Sequence, residues 1–274
     1  MLRTLKNEVK RSFCNKLFLV SIIISAMLVL WYSIERIPFC IEKNSTMSTD
    51  FILDDFLEVS YTNWIGSHNM FLQQNIFYLI IPFLAVIPFG GSLFTDINHG
   101  YVKGICTRTK KSYYLISKYI SVFLSGGTAA IIPMILSLLI SSAFLPTMLP
   151  EASYAYTNMF SIYKWADLLF VHPFLYTLLY MGIVFLFSGL IACMALTITY
   201  FSYKSFLVLI FPFFVYIFVS LFCELLDFYS FSIRNLLTTT SEEGTTVSVI
   251  ILALLFFVFS FFPYYFLGVK KDVL

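Results

Sequence analysis

The sequence predicts an all-α integral membrane protein of one transmembrane domain, and three observations predict it. The chain of 274 residues is 59% hydrophobic and 19% aromatic, with 12% charged residues and a mean hydropathy of +0.88; soluble domains carry ~25% charged residues. Its apolar residues gather in six long blocks, each suited to the ~20 residues a helix needs to cross a bilayer core. The charges between those blocks are sorted by sign, with 13 of the 17 Lys and Arg in one set of alternating segments and 12 of the 15 acids in the other. Basic residues beside a span resist translocation, so the basic segments are expected in the cytoplasm and both termini inside. Six spans leave no length for a soluble catalytic domain.

Residues 1–16 alternate Leu2, Leu5, Val9 and Phe13 with Arg3, Lys6, Lys10 and Arg11. At helical spacing this puts apolar and basic residues on opposite faces, the pattern of a helix lying among lipid headgroups. The first span is read at 17–34, closed by Trp31 and Tyr32 at the far interface. The loop 35–75 holds six acids and two basic residues, so it is placed outside. Its Phe51, Ile52, Phe56, Leu57, Tyr61, Trp64 and Ile65 predict interfacial helix. The second span, 76–93, contains Pro82, Pro88 and Gly90-Gly91, which permit bends.

The third span is read at 120–145, where Ser125-Gly126-Gly127-Thr128 would let another helix come close. Pro146 and Pro150 end it, and 146–173 is placed outside with an aromatic belt of Tyr154, Tyr156, Tyr163 and Trp165. The fourth span, 174–200, carries Gly182, Ser188 and Gly189. A tight inner turn with Lys204 leads to the fifth span, 206–226, which must run antiparallel to the fourth. Residues 227–246 are too apolar for a plain surface loop. The last span is 247–267, followed by Lys270-Lys271.

Between the second and third spans lies the segment 94–119, FTDINHGYVKGICTRTKKSYYLISKY, with five basic residues against one acid. It is longer than a turn needs, and 112–119 reads as helix running into the next span. The order Asp96, Gly100, Lys103, Arg108, Thr109-Lys110-Lys111, Tyr114-Leu115 and Lys118 resembles the loop at this place in membrane subunits of ATP-binding-cassette exporters, the six-helix permeases of the type-2 family. The resemblance implies that 94–119 is a coupling loop docking on a separate ATPase subunit, with Arg108, Lys110 and Lys111 supplying charge and Gly100 and Gly104 shaping turns. It further implies a leading interfacial helix, short re-entrant helices between the fifth and sixth spans, and a second permease subunit, identical or similar. Family cargo includes toxic or antimicrobial peptides, drugs and lipid-linked polymers.

The chain has no G-x-x-x-x-G-K-[ST] phosphate loop, no HExxH and no paired-Cys metal pattern. No cofactor or metal is therefore expected on this chain, ATP and Mg are expected on the partner ATPase, and no nucleic-acid partner is expected. Its five cysteines are scattered, Cys40 and Cys223 being candidates for pairing at the outer face. The spans are nearly free of ionisable groups, the exception being Glu224 near the outer end of the fifth. With Asp227 and Arg234 it is a candidate for a translocation path, or simply a carboxylate reaching the interface. Intramembrane charges normally accompany ion coupling, so their scarcity favours a conduit for amphipathic peptides or hydrophobic compounds over an ion-coupled transporter. A non-transporting scaffold or immunity protein, binding a ligand through 35–75, is the alternative from another class.

Overall fold

The computed structural model describes residues 2–46, 57–67, 71–150, 165–239 and 246–270. Helix α1 (Leu2–Phe13) lies at one end of a bundle formed by α2 (Lys16–Thr46), α3 (Leu72–Val86), α6 (Lys111–Phe144), α8 (Pro173–Ile198), α9 (Ser205–Leu225) and α11 (Thr246–Lys270). Two short helices, α4 (Ser92–Asn98) and α5 (Tyr101–Cys106), join α3 to α6 at the same end as α1. At the opposite end α7 (Ala166–Val171) precedes α8, and a 3-10 turn (Tyr229–Phe231) with α10 (Ile233–Leu237) links α9 to α11. No strand occurs among the described residues. Five helices, α2, α6, α8, α9 and α11, are long and apolar enough to cross a membrane, which makes this a multi-pass membrane protein by length and composition.

The second block behaves differently. Helix α3 ends at Val86 because Pro88 has no N–H to continue the ladder, and 87–91 forms turns before α4 begins. Its 15 residues span only about 22 Å at 1.5 Å each, against a bilayer core of ~30 Å. The expected span 76–93 is therefore the end of a short helix followed by a break, and only its last two residues enter α4. The helix of the first span is longer than expected, since α2 runs through Glu35, Arg36 and Pro38 to Thr46. Charges that looked like a span boundary are covered there: Arg36 donates to Asn63 (2.9 Å) and pairs with Glu58 (3.4 Å).

That cover comes from 57–67, which is turn rather than the expected interfacial helix. Trp64 and Ile65 are fully buried, and the segment is tied on every side. Ile65 N–H donates to Ser137 Oγ (2.9 Å), Ser141 Oγ donates to the Asn63 carbonyl (2.5 Å), and Tyr78 OH donates to the Gly66 carbonyl (3.1 Å). Ser137, Ser141, Gln74 and Tyr78 thus supply partners that an irregular backbone needs when buried. Phe51, Ile52, Phe56, Tyr154, Tyr156 and Tyr163 lie outside the described residues.

The bundle axis is the crossing of α6 and α8, where small residues do what the sequence led one to expect. A Cβ added at Gly126 would sit 2.6 Å from the Ala192 Cβ, and one at Gly189 would sit 2.8 Å from the Phe123 carbonyl oxygen. Backbones approach this closely only where side chains are absent. Helix α11 joins the basic end through Tyr264 OH, which donates to the Leu115 carbonyl (3.0 Å), and Lys111 Nζ, which donates to the Val269 carbonyl (3.3 Å).

Candidate functional site

Helix α1 does not rest on the bundle by its apolar face. Leu2 is 83% exposed and Phe13 is exposed, Leu5 and Val9 are only half-buried, and it is Glu8 and Ser12 that are buried. Thr4, Glu8 and Ser12, spaced i, i+4, i+8, share one face of α1, and through Thr4 and Glu8 that face meets α6; Thr4 Oγ1 lies 3.3 Å from Ser117 Oγ. Beyond α1, Asn15 accepts from the Leu17 N–H (3.2 Å), opening α2 as an N-cap, and donates to the Pro88 carbonyl in the α3–α4 break (2.9 Å).

The stripe leads to a closed cluster of two acids and two bases. Lys118 Nζ on α6 lies 2.6 Å from Asp96 Oδ2 on α4 and 3.1 Å from Glu8 Oε2 on α1. Arg11 completes the ring, 2.8 Å from Asp96 Oδ1 and 2.8 Å from Glu8 Oε1. Tyr114 OH donates to Asp96 Oδ2 (2.8 Å), the Lys118 ammonium sits 4.2 Å from the Phe89 ring centre, and the Arg11 guanidinium sits 4.3 Å from that of Tyr101. Lys118 is fully buried, and Glu8 and Asp96 are nearly so. Burial alone would discourage ionisation of Asp96, but Lys118, Arg11 and Tyr114 outweigh it and hold the carboxyl below the usual carboxylate range. Burial likewise works against the Arg11 charge, and Asp96 and Glu8 more than reverse it, raising the guanidinium above its ordinary value. Four charges that cancel, each with hydrogen bonds, are the one arrangement in which burial of this kind is tolerated.

The predicted loop residues therefore divide. Asp96 and Lys118 turn inward and fasten α4 and α6 to α1, so Asp96 is not free to meet a partner. Lys103, Arg108 and Lys110 are exposed and form no ion pair among the described residues. Thr109 and Lys111 are half-buried, Thr109 Oγ1 donating to the Ile105 carbonyl (3.1 Å). Gly100, at φ 70°, makes the turn between α4 and α5, a conformation that favours glycine. Gly104 shapes no turn; it lies within α5.

The other candidates are not brought together as a pair. Glu224 accepts from Ser232 Oγ (3.3 Å), Arg234 donates to Asn75 Oδ1 (3.3 Å), and no Glu224–Arg234 ion pair is among those of the described residues. Asp227, at φ 58°, accepts from Tyr229 OH (3.2 Å). All five cysteines are unpaired, and Cys40 is buried against Asn63 rather than joined to Cys223.

A second ionic knot, at the opposite end, was not read from the sequence. Glu58 lies 3.0 Å from Lys43 Nζ and 3.4 Å from Arg36 Nη2, accepts from Asn63 Nδ2 (2.8 Å), and is bound through its backbone to Asn44. Burial favours the protonated form of Glu58, but Asn63, Lys43 and Arg36 prevail and lower its carboxyl. The signal for both knots was a charge out of place: an acid inside a basic helix, and two basic residues inside an acidic loop. Comparison of the chain with protein-family models, with curated proteins and with solved structures finds no match.

Proposed function

We propose that the chain is the membrane-spanning permease subunit of an ATP-driven exporter, working with a separate ATPase subunit that holds ATP and Mg. The observation that carries this is the division of the α4–α5 segment. One half is anchored by Asp96 to Lys118 and Arg11, and the other presents Lys103, Arg108 and Lys110 outward. A loop built to transmit force needs both parts, an exposed surface for the partner and a rigid tie to the helices that must move. Force applied at Arg108 would pass through α4 and Asp96 to α6 and α1 together.

In this reading the apolar blocks make six crossings, with α3 and the break that follows it as the second, α4 already on the inner side, both termini cytoplasmic, and α1 lying in the inner headgroup layer. The 3-10 turn and α10 form the re-entrant segment on the outer side, and 57–67 seals the outer end of the pathway. Two such subunits, identical or paired with a similar chain, enclose the route, in the plasma membrane of a bacterium. Amphipathic peptides or hydrophobic compounds are the cargo class, because the spans offer few charges to a polar solute.

Co-purification tests it. Membranes of the source cell are solubilised gently, the tagged chain is captured, and ATPase activity in the eluate is measured. An ATPase should accompany the wild-type chain and be lost when Lys103, Arg108 and Lys110 are replaced by Glu, while Glu224→Gln retains it. Undiminished association of the triple variant would refute the docking surface, and absence of ATPase from every eluate would refute the exporter.

A further inference from the structure

Beside the ion cluster, α1, the α3–α4 break and the start of α9 enclose an open cleft of about 780 Å³. We propose that this cleft is a binding site for an anionic phospholipid, with the phosphate held by Lys10 and Arg11 and the acyl chains leaving past Leu17 and Leu209.

The lining divides by chemistry. Lys10 and Arg11 stand on the α1 wall, Thr95 and Ser205 contribute hydroxyls from α4 and α9, and Leu17 and Leu209 line the side toward the spans. Among the described residues no acid lines the cleft. A free phosphate has no use for the apolar half, and an uncharged lipid has none for the two cations, so a phospholipid with net negative charge fits both. The volume lies within the ~300–1,000 Å³ of small-molecule sites, enough for a headgroup and the first part of its chains. Lys10 is exposed, so its charge is available. Arg11 has 38% of its side chain exposed while its other side contacts Glu8 and Asp96. The site therefore shares a residue with the cluster that ties the loop to the bundle. A bound phosphate gives the Arg11 guanidinium a third anion and steadies α1 against α4.

The inference rests on the placement of α1 in a headgroup layer given above, and not on the ATPase. It is tested on the full chain in neutral detergent by thermal unfolding against added phosphatidylglycerol, phosphatidylcholine or glycerol 3-phosphate. Phosphatidylglycerol should raise the midpoint saturably, whereas phosphatidylcholine and glycerol 3-phosphate should not. Lys10→Gln should weaken the apparent affinity about fivefold, the share of one lysine at an anionic surface, and Thr95→Trp, which fills the cleft from α4, should abolish saturation. Lys6→Gln, on the same helix but away from the cleft, should leave the affinity unchanged. Equal response to phosphatidylcholine overturns the proposal, as does an unaltered Thr95→Trp. If Lys6→Gln and Lys10→Gln weaken binding alike, the cleft is refuted while the headgroup placement of α1 stands.

Discussion

Replacing Asp96 by Asn keeps the shape of the side chain and removes one of the four charges in the cluster. Lys118, with no exposure, and Arg11 are then left facing Glu8 alone, a buried surplus of one positive charge. Removing one partner of a buried pair costs ~3–5 kcal/mol. Because Glu8 still touches both cations, at 3.1 and 2.8 Å, the lower end applies, about 3 kcal/mol. For a chain of this size that corresponds to a fall of roughly 6–12 °C in the thermal midpoint. The double variant Asp96→Asn/Lys118→Met removes opposite charges together, leaves the Glu8–Arg11 pair intact, and puts a thioether of similar length against the Phe89 ring. It should recover more than half of the loss, since replacing both members of a buried pair by uncharged groups is often neutral. The assay is thermal unfolding of the purified chain in detergent, followed by intrinsic tryptophan fluorescence, to which the fully buried Trp64 contributes. If the double variant loses as much as the two single variants combined, the pairing is not what holds these helices.

Acid should act through the same group. The folded Asp96 carboxyl is lowered, so its contribution is complete above the unfolded pKa of ~3.9 and is lost as pH falls through the lower folded value. The wild-type midpoint should therefore drop more steeply than that of Asp96→Asn below about pH 4, as read from the same melts. Gly126→Leu should destabilise by ~1–3 kcal/mol, because even a Cβ there meets Ala192 and the Ala85 carbonyl; a midpoint within error of wild type would contradict the α6–α8 crossing. Trp64→Ala empties a fully buried site and should cost ~3–5 kcal/mol, measured by the loss of folded chain on size exclusion after heating. Glu224→Gln keeps the Ser232 hydrogen bond and should change stability by less than ~0.5 kcal/mol.

Much of the helical frame was legible because apolar length and proline position decide it. Pro146 and Pro173 bound α6 and α8 close to where the sequence places them, and Gly126 and Gly189 lie at the close approach their size suggested. Boundaries failed where charges were satisfied by distant residues. Glu35 and Arg36 looked like the end of a span, but Arg36 is neutralised by Glu58 from another segment, and α2 continues. Lys118 was read as one more positive loop residue, yet it is fully buried. Pairing across 22 residues to Asp96 and 110 to Glu8 leaves no local pattern. What the sequence did hold was an imbalance, since Glu8 and Asp96 are two of the very few acids on the basic side and both are used inside it.

Sidedness of the exposed loop is the most direct test of the reading as a whole. In a background lacking the native cysteines, Lys110→Cys and Met148→Cys, both exposed positions at opposite ends of the bundle, are treated with a membrane-impermeant maleimide in intact cells and again after the membrane is opened. The expected result is labelling of Met148→Cys in intact cells and of Lys110→Cys only after opening. Labelling of Lys110→Cys in intact cells would contradict it, for a loop outside the cell has no ATPase to meet.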